Sequence, residues 1–360
     1  MIKNRTSKIF FPLALTTTLS ACGDIPGVEQ TLLEYRIKSA TVDLDNNGTP
    51  DGTLNYFYDS AGRLTKIDHV YTDDGVDDSS LNYLPKAILL PDDVNTDYQE
   101  IRSYNFFGWP VGSQITRTHS GSGMYLDIIS KYMYGTEGIN SIVQQRFDES
   151  GLYRTITVTY LNFVDGLPEQ IKYEYTPRPY DEEGWVYSYA NLTRNDQGRV
   201  ETLFQQDDYG ILAEIEESFI IERDDAQIAS YKVNFKEFSL LEDEDHTVKF
   251  EYDDNCLTKE QYKMQGTSLG GEYTEEATIN YTHDPATGTP LYLEIDNNSD
   301  GTVDARMDFE IEKGPYRIFT YSTLRAPYLS TYPTFQALDQ SSELKHALFC
   351  TTAPSLVDTE

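Results

Sequence analysis

The sequence predicts an all-β protein: consecutive antiparallel hairpins of about 28–31 residues each, joined into one large curled meander sheet, with a closed β-barrel as the alternative. Three observations predict it. Aromatic segments followed by a turn signal recur along the chain, at Tyr104, Tyr132, Tyr160, Tyr189, Phe219, Phe250, Tyr281 and Phe309. Their starts lie 28, 28, 29, 30, 31, 31 and 28 residues apart, a step that one supersecondary unit repeated in series produces. Between turns the chain alternates with period two. Ile171, Tyr173 and Tyr175 interleave with Lys172, Glu174 and Thr176, and Tyr231, Val233 and Phe235 with Lys232, Asn234 and Lys236. Val248, Phe250 and Tyr252, like Met307, Phe309 and Ile311, follow the same rule. That is the mark of strands with one buried and one wet face.

Taken in order, residues 1–21 read as a signal peptide. Lys3, Arg5 and Lys8 precede a short apolar run from Ile9 to Leu15, and Leu19-Ser20-Ala21-Cys22 follows. Residues 22–33 are expected to be a short linker, and residues 34–321 the hairpin domain. An early unit begins at Tyr56, 48 residues before Tyr104. The surplus places an insertion loop at 79–98. Residues 322–360 read as an irregular tail folded back on the sheet. A short helix is expected within Pro333 to Phe349, where Phe335, Leu338, Leu344 and Leu348 share a face.

Charge narrows the partners. The chain of 360 residues has 60 acidic and 28 basic residues, a net charge of −32. The signal segment takes three of the basic residues and none of the acidic ones, so the remainder is close to −35. Such a chain repels nucleic acid and attracts cations. Its 13% aromatic content, with 28 Tyr, argues for a packed core rather than disorder.

Two resemblances follow from quoted residues. Leu19-Ser20-Ala21-Cys22 resembles the lipobox of bacterial lipoproteins, which implies acylation of Cys22, a membrane partner through the N-terminal lipid, and a periplasmic or cell-surface position. Gly23 rather than Asp follows the Cys, which tilts the expected address to the outer membrane. "YDSAGRL", Tyr58 to Leu64, resembles the YD repeat of Rhs-type shell proteins. Partial copies are "FDESGL" (Phe147 to Leu152), "RNDQGRV" (Arg194 to Val200) and "YDDNCL" (Tyr252 to Leu257). The resemblance implies a curling meander of hairpins, which in large members winds into a shell around a cargo. A membrane-spanning barrel is the rival architecture. The alternation and a strand count near 16 to 18 suit it, whereas a protein already held in the bilayer by its wall needs no lipid anchor.

Candidate sites are few. Asp43, Asp45, Asn47 and Asp51, with Gly48 among them, match Asp296, Asn298, Asp300 and Asp304 around Gly301. These put oxygen at positions 1, 3, 5 and 9 of a loop with Gly at 6, as weak calcium loops do, and they resemble thrombospondin type-3 and dockerin loops. At position 12 stand Leu54 and Met307 instead of a bidentate acid. Asp, Asn and Gly also close ordinary hairpins, so calcium and plain turns both remain open. With Cys22 acylated, Cys256 and Cys350 are left either to pair as a disulfide or to stay as two buried thiols. Trp109 and Trp185 sit beside turns and are candidate rings for stacking on a sugar or a protein. The five His show no metal-ligand spacing, and His119-Ser120 lacks a nucleophile elbow. The expected function is a non-enzymatic binding or scaffold module for a protein or glycan. The alternative is a glycan-processing enzyme, which would need two carboxylates about 5–10 Å apart in a cleft.

Overall fold

A computed structural model describes residues 28–71, 97–106, 108–119, 123–135, 138–148, 151–164, 167–175, 186–196, 198, 200–208, 214–224, 227–237, 242–268, 271–321 and 342–352. The first strands are β1 (Val28–Asp43), β2 (Gly52–Tyr58), β3 (Leu64–Tyr71), β4 (Tyr98–Tyr104), β5 (Pro110–His119) and β6 (Gly123–Gly135). There follow β7 (Gly138–Asp148), β8 (Gly151–Val164), β9 (Leu167–Tyr175), β10 (Val186–Arg194), β11 (Val200–Asp208) and β12 (Glu214–Asp224). The last are β13 (Gln227–Glu237), β14 (Glu242–Asp253), β15 (Cys256–Ser268), β16 (Gly271–His283), β17 (Pro290–Asp296) and β18 (Ala305–Tyr321), and a helix, α1 (Ser342–Leu348), follows them.

Each strand pairs antiparallel with its neighbour in the chain, and β1 pairs with β18 from Val28↔Tyr321 to Asp43↔Arg306. The sheet therefore closes into an 18-stranded barrel. This corrects the open meander that the sequence predicts in favour of its alternative. The physical reason is the seam itself: an open sheet would leave β1 and β18 as two long unpaired edges, and closure removes both. β1 also begins at Val28, inside the segment expected to be linker. The insertion at 79–98 falls mostly outside the described residues, where only Asp97 and the start of β4 are seen.

The wall has an apolar inner face and a polar outer one. Ile171 and Tyr173 are buried, as are Phe250 and Phe309, while Lys172 and Glu174 pair on the outside. The side chain of Tyr231 lies outside those described. Buried residues from strands all around the barrel, from Leu54 and Val42 through Tyr160 and Ile171 to Leu293 and Met307, form one continuous cluster. Apolar side chains thus line and pack the described interior. A round barrel of this strand number would instead enclose an aqueous channel.

The two rims differ. At the entry rim, where β1 begins and β18 ends, the hairpin turns are tight, and the odd strands commonly bulge just after them, with Thr65, Val111, Asn140 and Thr258 as the extra residues opposite Phe57/Tyr58, Ser103/Tyr104, Met133/Tyr134 and Glu251/Tyr252. An aromatic side chain stands on the partner strand across from each bulge. Its hydroxyl then donates to a carbonyl on the previous hairpin: Tyr58 to Ile37, Tyr104 to Leu64, Tyr134 to Pro110 and Tyr252 to Ile228, at 2.6–2.9 Å. Tyr104, one of the recurring aromatics, is itself such a rivet between successive units, and Tyr58, Tyr134 and Tyr252 stand two residues after Tyr56, Tyr132 and Phe250.

In the strongest motif copy, Asp59 accepts from the amides of Ala61 and Arg63 and pairs with the Arg63 guanidinium. Gly62 adopts φ +80°, and a Cβ there would lie 2.5 Å from the Pro315 carbonyl oxygen, because this turn docks on β18. Arg317 donates to the carbonyls of Gly62 and Ala61. "FDESGL" falls between β7 and β8 at the opposite rim, so it is out of phase with the other copies.

The tail closes part of the entry rim. Leu344, Ala347, Leu348 and Phe349 are buried in the main cluster, and the Phe349 ring lies 5.6 Å from that of Tyr316. Cys350 is bonded to Cys256, at the β14–β15 turn, with Cα atoms 4.0 Å apart. Gly288 faces this bond closely, and a Cβ there would be 3.0 Å from that of Cys350.

Candidate functional site

The far rim brings the two acidic loops together. One joins β1 to β2, the other joins β17 to β18, and β1 and β18 are neighbours across the seam. The Asn46 side-chain amide donates to the Val303 carbonyl at 3.1 Å, linking one loop to the other.

The loops fold alike, bond by bond. In the first, Asp43 accepts from the amides of Asn47 (3.0 Å) and Gly48 (2.7 Å), Asp45 from that of Asn47 (3.1 Å), and Asn47 from that of Thr49 (2.7 Å). In the second, Asp296 accepts from Asp300 (3.0 Å) and Gly301 (2.6 Å), Asn298 from Asp300 (3.0 Å), and Asp300 from Thr302 (2.8 Å). Position 9 closes each loop: Asp51 accepts from the Leu44 amide and Asp304 from that of Asn297. Gly48 and Gly301 stand at φ +89° and +90°, a conformation open to glycine at little steric cost. Asn and Ser stand at the preceding left-handed positions, Asn46 and Ser299.

The first loop draws its acids close. One carboxylate oxygen from each of Asp43, Asp45 and Asp51 lies within 4.8 Å of the others. Among the described residues, convergence this close occurs there and not in the second loop, where Asn298 replaces an acid. A carboxylate has about four acceptor positions, so bonds to loop amides leave lone pairs for a cation. Both loops also hold ionised acids. Desolvation is the largest single effect on the Asp45 carboxyl and acts to raise it, but hydrogen bonds from Asn47, with smaller ones from its neighbours, together hold it below its usual range; bonds from Thr302 lower Asp300. At position 12, Leu54 and Met307 are buried in the barrel, so no bidentate acid is supplied from there. The donor set fits a hard, oxygen-seeking cation held weakly.

Other predicted residues fare differently. Trp109 is buried at 5% exposure and is no stacking ring on a loop tip, which corrects that expectation. The reason is local. Asn105 and Gly108 build a turn like that of Asp59 and Gly62, and Trp109, whose amide donates to Asn105, takes the place of Arg63 and packs inward. Trp185 and Cys22 lie outside the described residues.

The interior holds polar groups that the sequence reading passed over. Glu260 is buried, accepts a 2.6 Å bond from the Tyr281 hydroxyl, and is pushed up by burial to about 7 despite that bond. His246 meets the Tyr262 hydroxyl at 3.1 Å, and Arg102 pairs with Glu100. The signal was present in the period-two parity of Glu260, Tyr262 and Met264, which places an acid on the apolar face.

No family model matches the chain, and no curated protein matches it. Among solved structures, a porin-like protein from Bacteroides uniformis is similar at 15% identity and a TM-score of 0.37, over 77% of this chain and 98% of that one. Likeness at that level carries no argument about this chain.

Proposed function

We propose that this chain is a lipid-anchored, non-enzymatic binding or scaffold module of the outer membrane, whose paired acidic loops hold calcium at the far rim and whose ligand is a protein or glycan. The observation behind the reading is the polarity of the wall. Its outer face bears Lys38–Glu310, Arg36–Glu312, Lys66–Asp68, Lys232–Glu222, Lys263–Glu276 and Arg306–Glu294 ion pairs. A lipid-facing wall is apolar outside, and each Lys or Arg at mid-bilayer costs about 2–4 kcal/mol. The barrel is built the other way round, which supports attachment through Cys22 over insertion of the wall.

Against the enzyme reading, Glu260 is the described carboxyl with a raised pKa, and it faces Tyr281 rather than a second acid. An acid–base pair for glycoside hydrolysis requires two.

Fractionation tests the anchor. Replacing Cys22 with Ser should release the protein from membranes or leave its signal uncleaved. Retention of a processed variant through an alkaline wash would show instead that the wall itself enters the bilayer. Calorimetry tests the metal. With a dissociation constant of about 1 mM, calcium at about 10 mM should stabilise each occupied loop by about 1.4 kcal/mol. Asp51→Asn should remove the first loop's share. A melting temperature indifferent to calcium would leave both loops as plain turns.

A further inference from the structure

We propose that the entry rim is a membrane-docking surface, and that the barrel rests on the bilayer along one apolar arc of that rim. The inference rests on the anchoring reading above. It starts from where exposed apolar side chains lie. Leu32 near the start of β1, Phe57 near the end of β2, Phe106 in the β4–β5 turn, Met133 near the end of β6, Val164 at the end of β8 and Leu291 at the start of β17 are all exposed, Phe106 to 96%. They occupy a continuous arc of the entry rim, from β17 through the seam to the β8–β9 turn. At the far rim the exposed large apolar residues among those described are Val70, Leu152 and, three residues into β10, Tyr189; Ile101, Phe204 and Ile220 are exposed along the wall between the rims. Lys66 lies 5.0 Å over the Phe57 ring, with its charge paired to Asp68.

Although Glu34 and Glu169 are exposed acids within the arc, the rest of the rim is more acidic. Asp196, Glu251, Asp253 and Asp254 are exposed there, on β10–β11 and β14–β15. They would be repelled by anionic headgroups and left in water, so the barrel should tilt onto the apolar arc.

The tether selects the occupant. β1 starts within the arc, at Val28, six residues after Cys22. Six residues reach at most about 20 Å. A strand of about 11 residues spans about 36 Å, or about 28 Å of barrel height at the usual tilt. A lipid on Cys22 therefore holds the entry rim at the bilayer and keeps the far rim, with its acidic loops, away from it. The partner is a phospholipid surface with little net charge, given the overall excess of acid on the chain.

The test uses the chain from residue 22 onward, oxidised so that Cys256 and Cys350 are bonded and Cys22 is the remaining thiol. Coupling Cys22 to a maleimide phospholipid in phosphatidylcholine vesicles supplies the anchor whether or not cells acylate it. Phe106→Trp, Val164→Trp and, at the far rim, Leu152→Trp are compared with the parent chain for quenching by brominated lipid. The two entry-rim variants should lose about half of the added emission, as expected for rings about 5–10 Å into the interface, and Leu152→Trp should lose none. Equal quenching at both rims, or none at either, would overturn the proposal. Absence of quenching together with a dimer in light scattering would assign the arc to a second copy and overturn it equally. Failure of acylation in cells, read by intact mass, would sink the anchoring reading without touching the docking result.

Discussion

Breaking the Cys256–Cys350 bond should lower the global stability of the barrel by an amount that its position in the chain sets. The bond closes a loop of 94 residues in sequence separation. In the chain-entropy model a loop of that length restricts the unfolded state by about 4.7 kcal/mol at 25 °C. For a chain of this size the entropy of unfolding is about 0.7 kcal/mol per degree, so the melting temperature should fall by about 7 °C. The assay is calorimetry on Cys350→Ser beside the parent, with thiols counted under denaturing conditions. Leu344, Ala347, Leu348 and Phe349 are buried against the barrel. The reduced tail should therefore stay docked at low temperature and exchange its amides faster on warming. A variant melting within a degree of the parent, with the parent's bond verified by mass, would refute the reasoning, because the unfolded chain would then gain nothing from being cut loose.

Other perturbations probe separate parts of the molecule. Burial raises the Glu260 carboxyl to about 7, well above its unfolded value, so the folded chain keeps a proton that the unfolded chain sheds. Stability should then fall as pH rises from about 4.5 to about 7, and Glu260→Gln should flatten that slope in chemical denaturation; a parallel slope would sink the assignment. Asp59→Ala strips two amides and Arg63 of their acceptor and should cost about 1–3 kcal/mol, with Asp59→Asn recovering part of it. Trp109→Ala opens a cavity in the core and should cost about 3–5 kcal/mol in urea denaturation; a change under 1 kcal/mol would return Trp109 to the surface.

The strands were legible because period two is a local property: Ile171 and Tyr173 against Lys172 and Glu174 declare two faces within four residues. The acidic loops were legible to the residue, since the Asp, Asn and Gly positions of a tight loop are set by its own amides. Closure was not. Whether Tyr35 meets Lys313 depends on twist and stagger summed over eighteen strands, and no short segment encodes that sum. Trp109 misled for a more local reason. Its neighbours Gly108 and Pro110 mark a turn, but the ring points inward because the Asn105–Gly108 turn seats Trp109 where Arg63 stands in the other copy.

The seam between β1 and β18 also sets the order of events in the life of the chain. The first strand to be synthesised pairs on one side with β2 at once, through the loop at Asp43 to Asp51. Its other edge must wait for the last strand, more than two hundred and fifty residues later in the sequence, before Ala40 can meet Phe309. Until then the growing sheet has an open edge and an uncovered apolar face, the state most exposed to misassociation. Contacts so distant in sequence form slowly. The protein should therefore depend on a holding factor while it folds more than its final stability would imply, and truncation just before β18 should yield aggregate rather than a smaller barrel.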